Sequence, residues 1–225
     1  MLPGIISFPA GQQLPIGITE LFVSSTDVVT PASYASVPLG DDNADRRIVV
    51  LAWHGDTATV PGTTPTCSVG ATSMTRIFAD TTGNGAGPAV GVSMFVGNPT
   101  GTSDTVTVTW GGAGLVYVRI TVLNLIGYSS TVVASGAEAA TGSNGQISIS
   151  TAAGGCIIGM AGDGLTSGDQ TWTNISKRGT VADLGNRRTW AWDMNTTGSA
   201  VNAIVTPWVI TQGGNAMGVA SFPLL

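Results

Sequence analysis

Apolar and polar residues alternate along short segments of this chain. In 105–110 each valine is flanked by threonines, and a tryptophan ends the run. After two glycines, 115–123 again carries an apolar residue at every second position. Successive side chains of a β-strand point to opposite faces, so these two segments predict a hairpin with one face in a core and one in solvent.

Further strand-like segments recur along much of the chain, at 46–53, 65–69, 74–78, 90–96, 146–150, 156–160, 188–194, 201–210 and 217–222. Gly or Pro interrupts every stretch long enough for a helical period. The segments 80–88 and 135–145 are rich in Gly, Thr, Ser and Asn and predict exposed loops. The pattern therefore predicts an all-β fold: an antiparallel two-sheet β-sandwich, jelly-roll-like, of about ten strands with almost no helix.

The beginning of the chain has a different pattern. Pro3, Pro9 and Pro15 prevent a helix and discourage pairing inside a sheet. Apolar residues nevertheless stand between them, at Leu2, Ile5, Ile6, Phe8, Leu14 and Ile16. We therefore expect 1–24 to be an extended N-terminal docking arm that binds another surface, and 25–225 to be a single sandwich domain.

Composition narrows the classes of partner. Charged residues make up 9% of the chain, against about 25% in an ordinary soluble domain. With a net charge of −5 and no basic stripe, the chain is not expected to bind nucleic acid. Its apolar runs are too short or too interrupted to insert into a membrane. Its first residues do not have the pattern of a signal peptide, so we expect folding in the cytoplasm.

Few residues of the chain have side chains suited to catalysis. His54 is the only histidine, and no nucleophile motif accompanies it, so we predict a hydrogen-bonded histidine at a strand end. Cys67 and Cys156 lie in apolar strand patterns and are expected to be buried free thiols. We therefore expect no enzymatic activity, no catalytic residues and no cofactor.

One acidic run invites a metal interpretation. Asp41, Asn43 and Asp45 place oxygen ligands at alternate positions, as the start of a calcium loop does. Arg46 stands where such a loop needs glycine, and Ala52 stands where it needs a bidentate glutamate. The three residues are thus weak metal candidates, and a turn capped by Asp and Asn side chains explains the run equally well.

The tryptophans offer a candidate for glycan binding. Trp172 lies between two threonines in a polar segment and is the best candidate for an exposed aromatic that contacts a sugar. Trp190, Trp192 and Met194 share one face of a strand, and large apolar residues in such a row predict a core face instead of a platform.

Several segments resemble a known group of proteins. The segment 45–52 reads DRRIVVLA, 68–75 reads SVGATSMT, and 101–126 leads from a Thr-Val-Thr-Val-Thr strand through glycines into Val-Tyr-Val-Arg-Ile. Over about 40–165 this layout resembles minor structural proteins of tailed bacteriophages and of related prophage or gene-transfer particles. The resemblance implies a jelly-roll-like sandwich that serves as a head decoration, a head spike or a tail-associated protein.

Pattern and resemblance together predict a non-catalytic virion structural protein. It would attach by its N-terminal arm, display the sandwich outward, and have capsid or tail proteins and further copies of itself as partners. The alternative is a carbohydrate-binding module or lectin-like adhesion domain whose partners are host surface glycans. An apolar arm favours the first interpretation, because a free lectin has no use for one.

Overall fold

The computed structural model describes residues 16–24, 26, 28–56, 64–84, 87–111, 116–141, 145–164, 170–183, 186–206 and 214–225. Within these ranges all regular structure is β-strand, and every pair of neighbouring strands is antiparallel. The predicted all-β antiparallel fold without helix is confirmed, with eighteen strands in the described residues instead of the expected ten or so.

The strands of the first half are β1 (Gly17–Val23), β2 (Val28–Val29), β3 (Ala32–Pro38), β4 (Arg46–Asp56), β5 (Thr66–Val69), β6 (Thr72–Ser73), β7 (Thr75–Asn84), β8 (Gly87–Gly97), β9 (Ser103–Thr109) and β10 (Val116–Ile126). Those of the second half are β11 (Ala134–Thr141), β12 (Gly145–Ile149), β13 (Cys156–Asp163), β14 (Thr171–Thr173), β15 (Lys177–Asp183), β16 (Asn186–Met194), β17 (Val201–Thr206) and β18 (Gly214–Phe222). The predicted loops at 80–88 and 135–145 are wrong, because strands β7, β8 and β11 occupy most of them.

The strands form four sheets that stack in layers. Sheet 1 has the order β3-β9-β5-β6, and sheet 2 has the order β1-β10-β4-β8-β7 with β2 also on β10. Sheet 3 has the order β11-β18-β13-β16-β15, and sheet 4 has the order β12-β17-β14. One apolar core lies between each pair of successive sheets, so the described chain contains three stacked cores.

Strand β4 lies at the centre of this stack. Ile48 and Val50 point into the core shared with sheet 1, while Val49 and Leu51 point into the core shared with sheet 3. Both faces of the strand are therefore covered by protein, which explains why its sequence is a continuous apolar run.

Sheets 2 and 3 approach each other closely at two glycines. A Cβ at Gly162 would lie 2.0 Å from Cδ1 of Trp53, and a Cβ at Gly218 would lie 2.0 Å from Cε2 of Phe78. The two aromatic rings thus lie directly over backbone of the facing sheet, and any side chain at these glycines would push the layers apart.

The chain follows the same path twice. The order β1-β10-β4-β8-β7 in sheet 2 corresponds strand by strand to β11-β18-β13-β16-β15 in sheet 3. In the same chain order, β3-β9-β5 in sheet 1 corresponds to β12-β17-β14 in sheet 4, while β2 and β6 have no counterpart among the described strands. We name sheets 1 and 2 the first sandwich and sheets 3 and 4 the second sandwich. The single sandwich expected over 25–225 is in fact two sandwiches of one connectivity, packed face to face.

The predicted boundary of the arm is wrong. Gly17–Val23 pairs with β10 as an edge strand of sheet 2, with a register shift between Glu20 and Phe22. Phe22 packs against the core of the first sandwich, so burial holds this strand in the fold. The first strand that the structure describes therefore begins at Gly17, within the range expected for the arm. Of the predicted arm residues, Ile16 is described and exposed, and Leu2, Ile5, Ile6, Phe8 and Leu14 lie outside the described residues.

Candidate functional site

A buried arginine organises the acidic run that suggested calcium. The Arg46 Nη1 group donates hydrogen bonds to the carbonyl oxygens of Leu39 (3.3 Å), Gly40 (3.3 Å), Asp41 (3.0 Å) and Gly101 (2.8 Å). Its Nη2 group donates to the carbonyl oxygen of Pro99 and to Oδ1 of Asp42 (3.3 Å). The guanidinium thus joins the loop before β4 to the loop after β8.

These contacts favour the capped turn over a calcium loop. Oδ1 of Asn43 accepts the backbone N–H of Asp45 at 2.7 Å, as in an Asx turn. The neighbouring backbone carbonyls, including that of Asp41, face the guanidinium, so a positive charge already stands where a cation would bind. In the described part of the chain no group of three or more His, Cys, Asp and Glu residues is placed to hold a metal ion.

The only histidine lies inside the first sandwich. His54 belongs to β4, opposite Gly91 of β8, and is fully buried. Its ring stacks on Trp110 with 3.9 Å between ring centroids and 44° between ring planes. A Cβ at residue 91 would lie 1.8 Å from Cε1 of His54, so glycine is needed there to make room for the imidazole.

The expected hydrogen-bonded histidine is wrong. Among the residues that the structure describes, neither Nδ1 nor Nε2 of His54 has a hydrogen-bond partner, and the hydroxyl of Ser93 on β8 also has none. Burial lowers the pKa of His54 from 6.5 to about 3, so the imidazole is neutral at physiological pH. A neutral, enclosed imidazole is not placed to exchange protons with a substrate in solvent.

The second sandwich has a buried polar cluster at the corresponding end of its central strand. Trp172 Nε1 donates to Oγ1 of Thr189 at 2.8 Å, and the Thr189 hydroxyl donates to Oε1 of Gln170 at 2.6 Å. Gln170 Nε2 then donates to Oδ2 of Asp163 at 2.8 Å. All four residues are buried, and the chain of hydrogen bonds links sheet 4 to sheet 3.

This cluster overturns the glycan prediction at Trp172. The side chain is only 8% exposed and belongs to the core between sheets 3 and 4. Its indole N–H is already bonded to Thr189, so neither the ring face nor the donor is offered to a sugar. The two flanking threonines point outward and gave the segment its polar appearance.

The row of Trp190, Trp192 and Met194 was predicted to face the core, and part of it does. Trp190 is buried between sheets 2 and 3, and its Nε1 donates to Oε2 of Glu20 at 2.6 Å. Trp192 is half-buried beneath the Arg178 guanidinium, which lies 5.3 Å from the ring centroid. Met194, at the end of the row, is exposed, so the core face ends before it.

Both cysteines are buried free thiols, which confirms that prediction. Cys67 lies in the core of the first sandwich, and Cys156 lies in the core between the sandwiches. Burial raises the pKa of Cys67 to about 12 and raises the pKa of Cys156 as well. Both groups therefore remain thiols at neutral pH, whereas the thiolate is the nucleophilic form.

The described exposed positions of the strands in sheets 1 and 4 carry uncharged side chains. Ser33 and Thr66 in sheet 1 and Ser148 and Thr173 in sheet 4 carry hydroxyl groups, while Ala35 and Pro38 of β3 are also exposed. On sheet 1, the Ser33 and Thr107 hydroxyls of adjacent strands lie 3.0 Å apart. The flat surfaces of the molecule are thus hydroxyl-rich and poor in charge.

No protein-family model, curated protein or solved structure matches this chain. Across the ranges that the structure describes, no helix is long and apolar enough to cross a membrane.

Proposed function

We propose that this chain is a non-catalytic structural subunit that works by contact with other proteins of an assembly. The resemblance noted in its sequence suggests a virion of a tailed bacteriophage or a related particle as the setting. There it would serve as a head decoration, a head spike or a tail-associated subunit.

One observation carries the proposal: the only histidine and both cysteines are enclosed in the cores. The imidazole of His54 is buried and neutral, and the thiols of Cys67 and Cys156 are buried with raised pKa values. These three side chains thus contribute to packing, and the solvent-facing surface includes the outward faces of sheets 1 and 4.

The outer faces suit repeated protein contacts. Hydroxyl-bearing and amide side chains lose less hydration free energy on burial than charged side chains do. A surface with few charges can therefore pack against neighbouring subunits without large desolvation costs. In a symmetric particle many copies act together, so a modest contact per copy is enough for stable attachment.

The carbohydrate-binding alternative loses its candidate residue. It depended on an exposed ring at Trp172, and that ring is buried and hydrogen-bonded to Thr189. The adhesion role is therefore not part of the proposal.

The test is to look for the chain in purified particles. Particles from the organism that encodes it are banded in a density gradient, and the chain is quantified by mass spectrometry against the major capsid protein. We expect a constant ratio of the two proteins across the particle band, with a soluble host protein as the negative control. Antibody labelling in electron microscopy then separates head from tail attachment. A chain that stays in the soluble fractions contradicts the proposal.

A further inference from the structure

Most sheet edges of this molecule have features that keep them from pairing with a further strand. A strand at a sheet edge directs the N–H and C=O groups of alternate residues outward, where another strand can bind them. Register shifts interrupt this row in the edge strands β1, β3, β7 and β15. The edge strands β6 and β14 have only two and three residues. In β12 the outward N–H of Gln146 already donates to the Glu138 carboxylate at 2.8 Å.

Strand β11 has none of these features. It pairs with β18 over all eight residues of Ala134–Thr141 without a register shift, so its outer edge is one regular row. Its side chains are those of Ala, Ser, Gly and Thr, apart from Glu138, whose carboxylate accepts the Gln146 N–H. A long, regular edge with small side chains and little charge is a template for a further strand.

The equivalent strand of the first sandwich shows that the strand path does not require such an edge. β1 occupies in sheet 2 the position that β11 occupies in sheet 3. It has a register shift between Glu20 and Phe22, and the Glu20 carboxylate points inward to accept Nε1 of Trp190 at 2.6 Å. A bulge and an inward charge both discourage pairing at an edge. The two sandwiches therefore differ in whether this edge is protected.

The neighbouring strands cover the faces of β11 and β18 and leave the outer edge open. Phe78 of β7 lies over Gly218 of β18, the residue paired with Ala137. On the other face, Cγ2 of Ile147 in β12 would lie 2.8 Å from a Cβ at Gly136. Among the described strands only β18 pairs with β11, and the Ser135 side chain is exposed.

The chemistry of this edge fits an identical edge. When two copies meet about a two-fold axis normal to the sheet, their β11 strands run antiparallel and the outward groups of each face those of the other. With the axis at Gly136, Ser135 lies opposite Ala137 of the second copy, and Ala134 lies opposite its Glu138. Small side chains then allow the backbones to approach, and the two carboxylates are not opposed. We propose that β11 pairs antiparallel with β11 of a second copy, joining their five-stranded sheets edge to edge.

This inference rests on the proposed function, since it names the contact between copies that an assembly subunit would use. Such a contact is made mostly by backbone hydrogen bonds, so it needs no large apolar patch on the surface.

The first measurement is the oligomeric state of the full chain. Sedimentation velocity compares the unchanged chain with Ser135→Lys and with the matched control Ser33→Lys, which adds the same charge at an exposed serine of the edge strand β3. We expect the unchanged chain and the control to form dimers, and Ser135→Lys to raise the dimer dissociation constant by roughly tenfold or more, because a lysine on each copy repels the other across the pair. Far-ultraviolet circular dichroism checks that both variants keep the fold. A full chain that stays monomeric, or equal dissociation constants for the two variants, overturns the inference.

Cross-linking tests which strands meet. In the proposed register the two Ser135 residues lie diagonally across the pair, about 7–8 Å apart. A short bismaleimide therefore links two copies of Ser135→Cys, while Cys67 and Cys156 are buried and do not react. The control is Thr173→Cys, exposed on β14 at the opposite edge of sheet 4. We expect covalent dimers from Ser135→Cys at protein concentrations where Thr173→Cys gives none. Equal yields from the two variants contradict pairing through β11.

The two proposals fail in different ways. A chain that dimerises through β11 but is absent from particles removes the proposed function and leaves the contact. A chain that is present in particles, but whose Ser135→Lys variant associates like the unchanged chain, removes the contact alone.

Discussion

The two sandwiches share one connectivity but differ in the buried polar groups near the end of the central strand. In the second sandwich, Trp172, Thr189, Gln170 and Asp163 form a continuous chain of hydrogen bonds. In the first, His54 is enclosed against Trp110, and neither of its ring nitrogens is hydrogen-bonded to a described residue. The same path of strands therefore accommodates two different polar arrangements at this position.

The difference shows which forces specify the fold. Unpaired buried polar groups cost free energy, so the first sandwich must be held by other contacts. These include the apolar side chains of β4 on both of its faces and the Arg46 guanidinium, which ties two loops together. In the second sandwich β14 has only three residues, and the bond from Trp172 helps to hold this short strand on its neighbours. The pattern of apolar residues fixes the topology, and polar contacts stabilise the loops and short strands that bury few apolar side chains.

The largest expected effect comes from breaking the hydrogen-bonded chain. Thr189→Val keeps the shape of the side chain but leaves the Trp172 donor and the Gln170 acceptor without their bonds to it. Each unsatisfied buried group costs about 1–3 kcal/mol, so we expect the free energy of unfolding to fall by about 2–4 kcal/mol. Denaturation in guanidinium chloride measures the change.

Thr173→Val is the matched control for this variant. Thr173 is exposed on β14, next to Trp172 of the cluster, and we expect its replacement to change stability by less than about 0.5 kcal/mol. If both variants lose the same stability, the cluster contributes nothing beyond the loss of a threonine, and the contrast between the sandwiches disappears.

Much of the fold could be predicted from single strands. Strands β9 and β10 alternate over much of their length, and the continuous apolar run of β4 marks a strand covered on both sides. Strands of two or three residues such as β6 and β14 are too short to display a period, and β11 consists of Ala, Ser, Gly, Thr and one Glu, a composition without an apolar period. The strand count was therefore too low.

The environment of the candidate site residues could not be predicted, because it depends on contacts between residues of different strands. Trp172 was expected to be exposed because its neighbours are threonines, but a strand with one buried face places those neighbours outside and the ring inside. Its partner Thr189 is seventeen residues away, and nothing in the local sequence connects the two. The repeat of the strand path was equally hidden, because matching strands share a position in the sheets and not a sequence motif.

The second effect uses pH to test the enclosed histidine. The pKa of His54 is about 3 in the folded chain and 6.5 as an unperturbed side chain, so the unfolded chain binds a proton between these values and the folded chain does not. Stability from this residue is therefore complete above pH 6.5 and is lost as the pH falls toward 3. At pH 5 the loss relative to pH 7 is about 2 kcal/mol.

His54→Phe isolates this contribution, because a phenyl ring stays planar beside Trp110 and has no titrating group. The carboxylates common to both proteins cancel when their stabilities at pH 7 and pH 5 are compared. We expect the fall in stability on acidification to be about 2 kcal/mol smaller in the variant. Equal falls in the two proteins mean that His54 takes up its proton in the folded state and is not enclosed.

The smallest effect is the sharpest test of the contrast. Ser93→Ala removes a fully buried hydroxyl that has no hydrogen-bond partner within the described ranges, on the face of the sheet that also carries His54. Removing an unsatisfied polar group relieves its desolvation cost and leaves only a very small void, so stability should change by less than about 0.5 kcal/mol or should rise. Ser148→Ala, at an exposed position of sheet 4, is the control for the intrinsic effect of losing a serine. Denaturation under the conditions used for Thr189→Val allows the changes in the free energy of unfolding to be compared between the two sandwiches.

If Ser93→Ala instead costs more than about 1 kcal/mol, the hydroxyl is hydrogen-bonded in solution, and an ordered water shared with His54 is the simplest partner. The first sandwich would then have a satisfied interior like that of the second, and the two halves would differ only in whether protein or water completes the bonds.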